Sequence, residues 1–173
     1  MTVDDLAKQI RDVPDFPKKG ILFKDITTLL KDPTAFRAAV DRLADRFADQ
    51  KVDLVVGIES RGFIFGGAVA YKLGAGFVPV RKPGKLPAET LKEEYALEYG
   101  TDAVEIHTDA IRPGQRVLVV DDLLATGGTM AATCRLMEKL EATIVAVAFL
   151  IELTFLAGRD KLGEYETISI IEF

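Results

Sequence analysis

Two neighbouring aspartates, Asp121 and Asp122, followed at once by Leu123-Leu124-Ala125-Thr126-Gly127-Gly128-Thr129, are the residues best equipped for chemistry. Val117 to Val120 before them reads as a strand buried on both faces. After them Met130, Cys134, Met137 and Glu141 follow a helical period, the first three on one apolar stripe. The stretch is therefore strand, acidic pair, glycine turn and helix start. Unpaired backbone N–H groups at a helix N-terminus attract phosphate, and Gly127-Gly128 let an anion come close to the main chain. Thr126 and Thr129 add hydroxyl donors. Carboxylates beside a phosphate would repel it, so the acids need another task. They could hold a divalent cation or accept hydrogen bonds from sugar hydroxyls adjoining the phosphate. A sugar phosphate satisfies acids and loop together. The plain alternative is a strand end with solvated acids and an ordinary glycine turn.

Two further stretches could bind anions. In Glu59-Ser60-Arg61-Gly62, Ser60 follows a strand and precedes a helix, as a serine nucleophile would. The hydrolase elbow needs glycine two residues before that serine, and Ile58 stands there. The chain has a single histidine, His107, to which no role is assigned. Gly57 to Gly62 has the spacing of a P-loop, but Phe63 and Ile64 occupy the Lys and Ser/Thr positions. Arg61 is better read as a clamp for two phosphate oxygens. The loop Arg81-Lys82-Pro83-Gly84-Lys85-Leu86-Pro87 reads either as a solvated basic loop or as a lid that neutralises charge and excludes water. Glu98 lies where alternation sets Leu97 and Tyr99 on one face and Glu98 on the other, by itself a surface acid. Phe16 and Phe23 read as core.

The elements that must position these groups alternate along the chain. Residues 3–11 suggest a short amphipathic helix, and Val13 to Gly20 an irregular loop broken by Pro14 and Pro17. Ile21-Leu22-Phe23 reads as extended. Asp32-Pro33 is a helix start, Asp at N-cap and Pro at the first turn, with Phe36, Val40, Leu43 and Phe47 as the apolar stripe. Asp53 to Ile58 is the first parallel strand, a small-residue helix runs to Leu73, and Phe77 to Val80 is the second strand. A long functional loop is expected over about 81–95. Tyr95–Tyr99 and Ala103–His107 read as a hairpin joined at Gly100-Thr101-Asp102. Thr143–Leu150 is a buried strand and Thr167–Ile171 an edge strand. Apolar strands alternating with helices predict an α/β fold with a mainly parallel central sheet. In such sheets ligands bind beyond the carboxyl ends of the strands, where the three candidate loops lie.

At 173 residues, one domain with a sizeable core is expected over 1–173. A net charge of −5 argues against a nucleic-acid surface. Cys134, the only cysteine, excludes an intrachain disulfide and a cysteine-based metal cluster. No secretory signal and no run near the roughly 20 apolar residues of a membrane span is visible. A cytoplasmic protein with no membrane partner is expected.

The hydrophobic run, the Asp-Asp pair and Ala-Thr-Gly-Gly-Thr resemble the phosphoribosyl diphosphate (PRPP) motif of the type I phosphoribosyltransferases. Asp15-Phe16-Pro17, Gly20 to Ile26, Glu59 to Phe63, Arg81 to Pro87, Leu97-Glu98-Tyr99-Gly100 and Glu152-Leu153-Thr154 resemble blocks of the adenine phosphoribosyltransferases, in that family's order. The resemblance implies that adenine and PRPP give AMP and pyrophosphate, with Mg²⁺ carried by PRPP and water rather than by a protein site. It implies that Asp121 and Asp122 face ribose hydroxyls and that Ala125, Thr126, Gly127, Gly128 and Thr129 hold the 5′-phosphate. Arg61, with the Glu59-Ser60 backbone and the loop cations Arg81, Lys82 and Lys85, faces pyrophosphate. Phe23 and Leu153 sandwich the purine, main-chain groups of Leu22 and Lys24 read its edge, and Glu98 handles the proton at N7. Catalysis would rest on Glu98, Arg61 and Lys85. Pro83 departs from members with another cation there. The resemblance further implies residues 1–30 as a purine hood, a flexible lid, a homodimer, and a cis Glu59–Ser60 peptide. The rival readings are a purine-sensing regulator with this fold and a phosphoribosyltransferase for xanthine or hypoxanthine.

Overall fold

In a fully buried parallel strand both faces must be apolar, so successive residues should feed two different cores. The computed structural model, which describes residues 1–173, shows this on its central strand. Val117 and Val119 enter one core, while Leu118 and Val120 enter the other, all four fully buried.

In chain order the elements are α1 (Val3–Ala7), β1 (Arg11–Pro14), β2 (Leu22–Asp25), α2 (Thr27–Leu30), α3 (Pro33–Ala44), β3 (Leu54–Ile58), α4 (Gly62–Leu73) and β4 (Gly76–Val80). Then come β5 (Thr90–Leu97), β6 (Gly100–His107), β7 (Arg116–Leu124), α5 (Gly128–Lys139), β8 (Thr143–Glu152) and β9 (Thr167–Glu172). The central sheet has five strands in the order β4-β3-β7-β8-β9, every pair parallel. The expected α/β architecture is thus present, with β9 at an edge. Helices α1 to α4 cover one face through residues such as Leu6, Leu29, Leu43, Phe65 and Val69. The other face is covered by α5, through Met130, Cys134 and Met137, and by the β5–β6 hairpin through Tyr95, Val104 and Ile106. Burial among apolar side chains pushes the Cys134 thiol up to about 12.

Helix α4 lies close on the sheet because two of its buried positions, Gly62 and Gly66, are glycine. A Cβ on Gly66 would stand 3.3 Å from the Gly57 Cα, and one on Gly62 would stand 2.8 Å from the Asp121 carboxylate. Helix α3 begins as its sequence predicts: the Asp32 carboxylate accepts from the Thr34 and Ala35 N–H groups at 2.9 and 2.8 Å, with Pro33 next.

Several expectations are corrected. Helix α1 ends at Ala7 rather than residue 11, because Arg11–Pro14 is drawn into an antiparallel ribbon with Leu22–Asp25. Pro14 is tolerated there since a two-stranded ribbon consists only of edges. Strand β7 does not stop before the acids but runs through them, Asp121 pairing with Phe149 and Leu124 with Glu152 of the long β8. Helix α5 starts at Gly128, and Glu141 lies beyond its end. The loop after Arg81 is shorter than expected, since β5 starts at Thr90. The hairpin turns between Leu97 and Gly100, not at Gly100-Thr101-Asp102, because Asp102 is paired with Tyr95 inside the ladder. Gly100, at φ +107, supplies the left-handed turn residue. Glu98 and Tyr99 therefore form the turn, and the strand alternation assigned to them does not apply.

Asp32→Ala is expected to destabilise the chain by about 1 kcal/mol through loss of the α3 cap. The urea midpoint should fall while its slope stays constant.

Candidate active site

The carboxyl ends of β3, β4 and β7 open on one side of the sheet, and the three candidate loops meet there. A cavity of about 250 Å³ is lined by Glu59, Ser60, Arg61, Lys82, Asp121, Asp122 and Thr129, among others. A smaller one of about 90 Å³ lies within Asp121, Leu123 to Met130 and Phe149, so Asp121, Leu123 and Thr129 border both. The turn Ala125–Thr129 forms the wall of the smaller space. Gly127, at φ +80, caps α5 without a side-chain hydrogen bond, which leaves the first-turn N–H groups available to an anion.

The acids differ sharply although they are adjacent. Asp122 is 5% exposed and accepts from Arg61 Nε at 2.5 Å. Asp121 lies against the α4 N-terminus at Gly62. Burial first, and the Asp122 charge second, push its carboxyl well above the usual carboxylate range. The Asp122 N–H, donating to Oδ1 at 2.9 Å, pulls the other way.

Glu59 accepts from Arg81 Nη2 at 3.0 Å and from the Lys82 N–H at 2.9 Å. Those bonds hold its carboxyl below the usual range. The Glu59–Ser60 peptide is cis, as expected, and so is Phe16–Pro17. Arg81 also reaches the Lys85 carbonyl at 3.4 Å, so its guanidinium is engaged within its own chain. The Lys82 ammonium donates to the Tyr95 hydroxyl at 2.8 Å and to Asp102. Burial disfavours its charge, but those two hydrogen bonds outweigh it and raise its pKa.

Arg61 points a second way. Its guanidinium carbon lies 5.5 Å from the centre of the Phe23 ring. Phe23 meets Phe16 edge-on at 5.1 Å, and Val13, Phe16, Phe23 and Asp25 line an apolar space of about 300 Å³. Phe16 is half exposed rather than core. Lys24 donates to Asp12 at 2.7 Å with its ammonium 3.8 Å from the Phe173 ring centre, and Leu22 is 50% exposed. Leu153, half buried just past β8, donates its N–H to the Leu124 carbonyl at 2.9 Å.

The structure thus brings together Glu59, Ser60, Arg61, Lys82, Asp121, Asp122 and Ala125–Thr129, with Phe23 joined through Arg61. Lys85 and Glu98 are exposed and line none of these cavities. Sequence reasoning missed Tyr95 and Asp102, which hold Lys82, and Leu123 and Phe149, which back the small cavity. Phe149 looks like any strand residue until β8 is seen to pair it with Asp121.

Asp121→Asn tests the desolvation of the acid pair. An acid raised in the folded state loses stability as pH climbs above its unfolded value near 4, and loses none below it. The Asn variant should therefore melt higher than the parent at pH 7 without ligand. The difference should vanish below about pH 4, a crossing that thermal scans across pH would reveal.

A phosphoribosyl transferase domain matches residues 26–171. The adenine phosphoribosyltransferase of Alkaliphilus metalliredigens is 61% identical over 168 residues, covering 97% of this chain and 99% of that relative. The solved adenine phosphoribosyltransferase of Thermoanaerobacter pseudethanolicus superposes with a TM-score of 0.96 at 57% identity, over 99% of this chain and 100% of the other. The Saccharomyces cerevisiae enzyme, solved with an imino-altritol bisphosphate and adenine, gives a TM-score of 0.92 at 44% identity, over 97% of each chain. Fold, motif order and full-length identity agree, and the chain belongs to the adenine phosphoribosyltransferases, within the phosphoribosyl transferase domain family.

Proposed function

We propose that this chain transfers the 5-phosphoribosyl group from PRPP to N9 of adenine, giving AMP and pyrophosphate. One observation carries the reading. Arg61 stands between Asp122 and the Phe23 ring, so that sugar-binding acids, an anion-binding cation and an aromatic face meet at one point.

In this reading Asp121 and Asp122 accept hydrogen bonds from the ribose hydroxyls, and Ala125–Thr129 hold the 5′-phosphate. Arg61, the Glu59-Ser60 backbone, Arg81, Lys82 and Lys85 bind the diphosphate. Phe23 and Leu153 enclose the purine, with the Leu22 and Lys24 main chain at its edge. As the C1–oxygen bond breaks, its electron pair leaves with pyrophosphate and N9 bonds to C1. Positive character grows on the sugar, as in glycoside cleavage, while negative charge grows on the leaving group. Carboxylates near the sugar and cations near the diphosphate favour that separation. Glu98 manages the purine proton at N7.

Lys85 and Glu98 reach the substrates only if residues 81–89 and the hairpin close over the cavity, which would also exclude water as a competing nucleophile. Residues 1–30 form the hood over the purine within a single 1–173 domain. Mg²⁺ would neutralise diphosphate charge when bound. No group of three or more His, Cys, Asp or Glu is placed to cage a metal, and Asp121 with Asp122 falls short of an octahedral donor set. Substrate oxygens and water suit the ion better. No helix is long and apolar enough to cross a membrane. We further propose a cytoplasmic homodimer.

The test is AMP formation from PRPP with adenine, hypoxanthine, guanine and xanthine side by side. Adenine alone should be turned over efficiently; preference for another base would overturn the assignment. Glu98→Ala should lower kcat far more than it raises the KM for PRPP. Asp121→Asn with Asp122→Asn should weaken PRPP binding, and unchanged affinity would remove the acids from the sugar.

A further inference from the structure

The segment that follows β8, with 3₁₀ turns at Thr154–Leu156 and Gly158–Lys161, packs directly against the turn Ala125–Thr129. We propose that Gly158 is a positioning residue for the 5′-phosphate turn, held in register by a cluster in which exposed Arg159 and half-buried Ser169 pair with buried Glu152.

The contact is too close for any side chain. A Cβ on Gly158 would lie 2.3 Å from the Ala125 carbonyl oxygen and 2.9 Å from Leu124 Cδ1. In return, a Cβ on Gly127 would lie 2.4 Å from the Gly158 carbonyl oxygen. Gly127 needs glycine for its φ of +80 as well as for space. Gly158 is not in the left-handed region, so space alone excludes a larger residue there. Its predecessor Ala157 is, at φ +51, a conformation an alanine adopts only when the surrounding structure imposes it. Two backbones thus meet directly, and the position of one sets the position of the other.

What fixes Gly158 is the residue after it. Arg159 Nε donates to both Glu152 carboxylate oxygens at 2.8 and 2.9 Å. Its Nη1 donates to the Thr167 carbonyl at 2.8 Å, and its Nη2 to Ser169 Oγ at 3.2 Å. Ser169 in turn donates to Glu152 at 2.5 Å. Glu152 is 4% exposed, ends β8 and directly precedes Leu153. A buried carboxylate is tolerated only when paired and hydrogen-bonded, and here all its partners lie on Arg159 and β9. The cluster ties the Gly158 backbone to the last residue of β8 and to the first half of β9. Those strands lie on the far side of β7 from β3. The turn that holds phosphate is therefore braced through Gly158 by the edge of the sheet, which limits its displacement when an anion binds.

This inference rests on Ala125–Thr129 being the phosphate cradle, so Thr129→Ala is run beside the variants. In steady-state assays with each substrate varied, Gly158→Ala should raise the KM for PRPP roughly tenfold or more, since losing one hydrogen bond to a charged group carries a factor of that order. The KM for adenine should move by no more than roughly twofold. Arg159→Lys keeps a charge for Glu152 but loses the fork to Thr167 and Ser169, and should raise the KM for PRPP in the same direction. It decides the matter if Gly158→Ala does not fold. If Thr129→Ala raises the KM for PRPP while the positioning variants lose only melting temperature or kcat, Gly158 is merely structural and the inference is wrong. If none of the variants alters the KM for PRPP, the cradle assignment fails and the inference falls with it.

Discussion

Adjacent carboxylates sit on a central strand of a parallel sheet, and the environment of Asp121 opposes its charge. Arg61 bonds directly to Asp122, while at Asp121 burial and the charge of its neighbour outweigh the Asp122 N–H and the more distant charge of Arg61. Much of the surrounding architecture follows from this constraint. Helix α4 must begin with glycine, because a Cβ at Gly62 would stand against Asp121. Arg61 must precede that helix at once, so that one turn supplies both the close approach and the compensating cation. A structural protein would gain by replacing such a pair with apolar residues. Retaining it makes sense where a ligand brings hydroxyl donors to the carboxylates, so the unfavourable free state and the binding site have one origin.

The cations around the cavity are held by acids. Arg81 lies on Glu59 and Lys82 on Asp102, while Arg61 lies on Asp122. These pairs are partly solvated and contribute little to stability individually. Their effect is to limit the rotamers of long side chains at the cavity wall, which lowers the entropy lost when an anion binds. The Tyr95 ring, beside the Cβ position of Gly128, also connects the hairpin that holds Lys82 to the start of α5. The hairpin and the turn Ala125–Thr129 are thereby packed on one another through Tyr95.

Much of this was legible in the chain. The run Val117–Val120 shows a strand buried on two faces, the glycines after it show a helix entrance, and Asp32-Pro33 shows a cap. Each depends on neighbours in sequence. What was not legible depends on partners far along the chain. The acids read as following their strand because only β8, ten residues long, reveals that pairing continues past them. Alternation over five residues sets Glu98 on a strand face because it contains no information on register; the pairing of Asp102 with Tyr95 marks that register. Pro14 disguised β1, since proline argues against a strand except at an edge. Gly158 carries no local sign of its role at all, because its φ is ordinary and only the Ala125 carbonyl excludes a side chain.

Under the proposed roles the two substrates meet very different parts of the molecule. The sugar phosphate side is bordered by β7, α5 and a backbone-to-backbone contact, with Asp122, Gly127 and Gly128 buried. The purine side is bordered by a two-stranded ribbon and a hairpin turn, where Phe16 and Leu22 are half exposed and Glu98 is exposed. Geometry fixed by core packing is stiff, whereas geometry carried on ribbons and turns shifts at small free-energy cost. Precision is therefore concentrated where charge separates at C1, and adaptability where a flat base must enter and AMP must leave. Arg61 is the one side chain that touches both regimes, through Asp122 on one side and the Phe23 ring on the other. A purine seated on Phe23 would alter the surroundings of the same guanidinium that faces the leaving group, and so the two halves of the site are electrostatically joined at that residue.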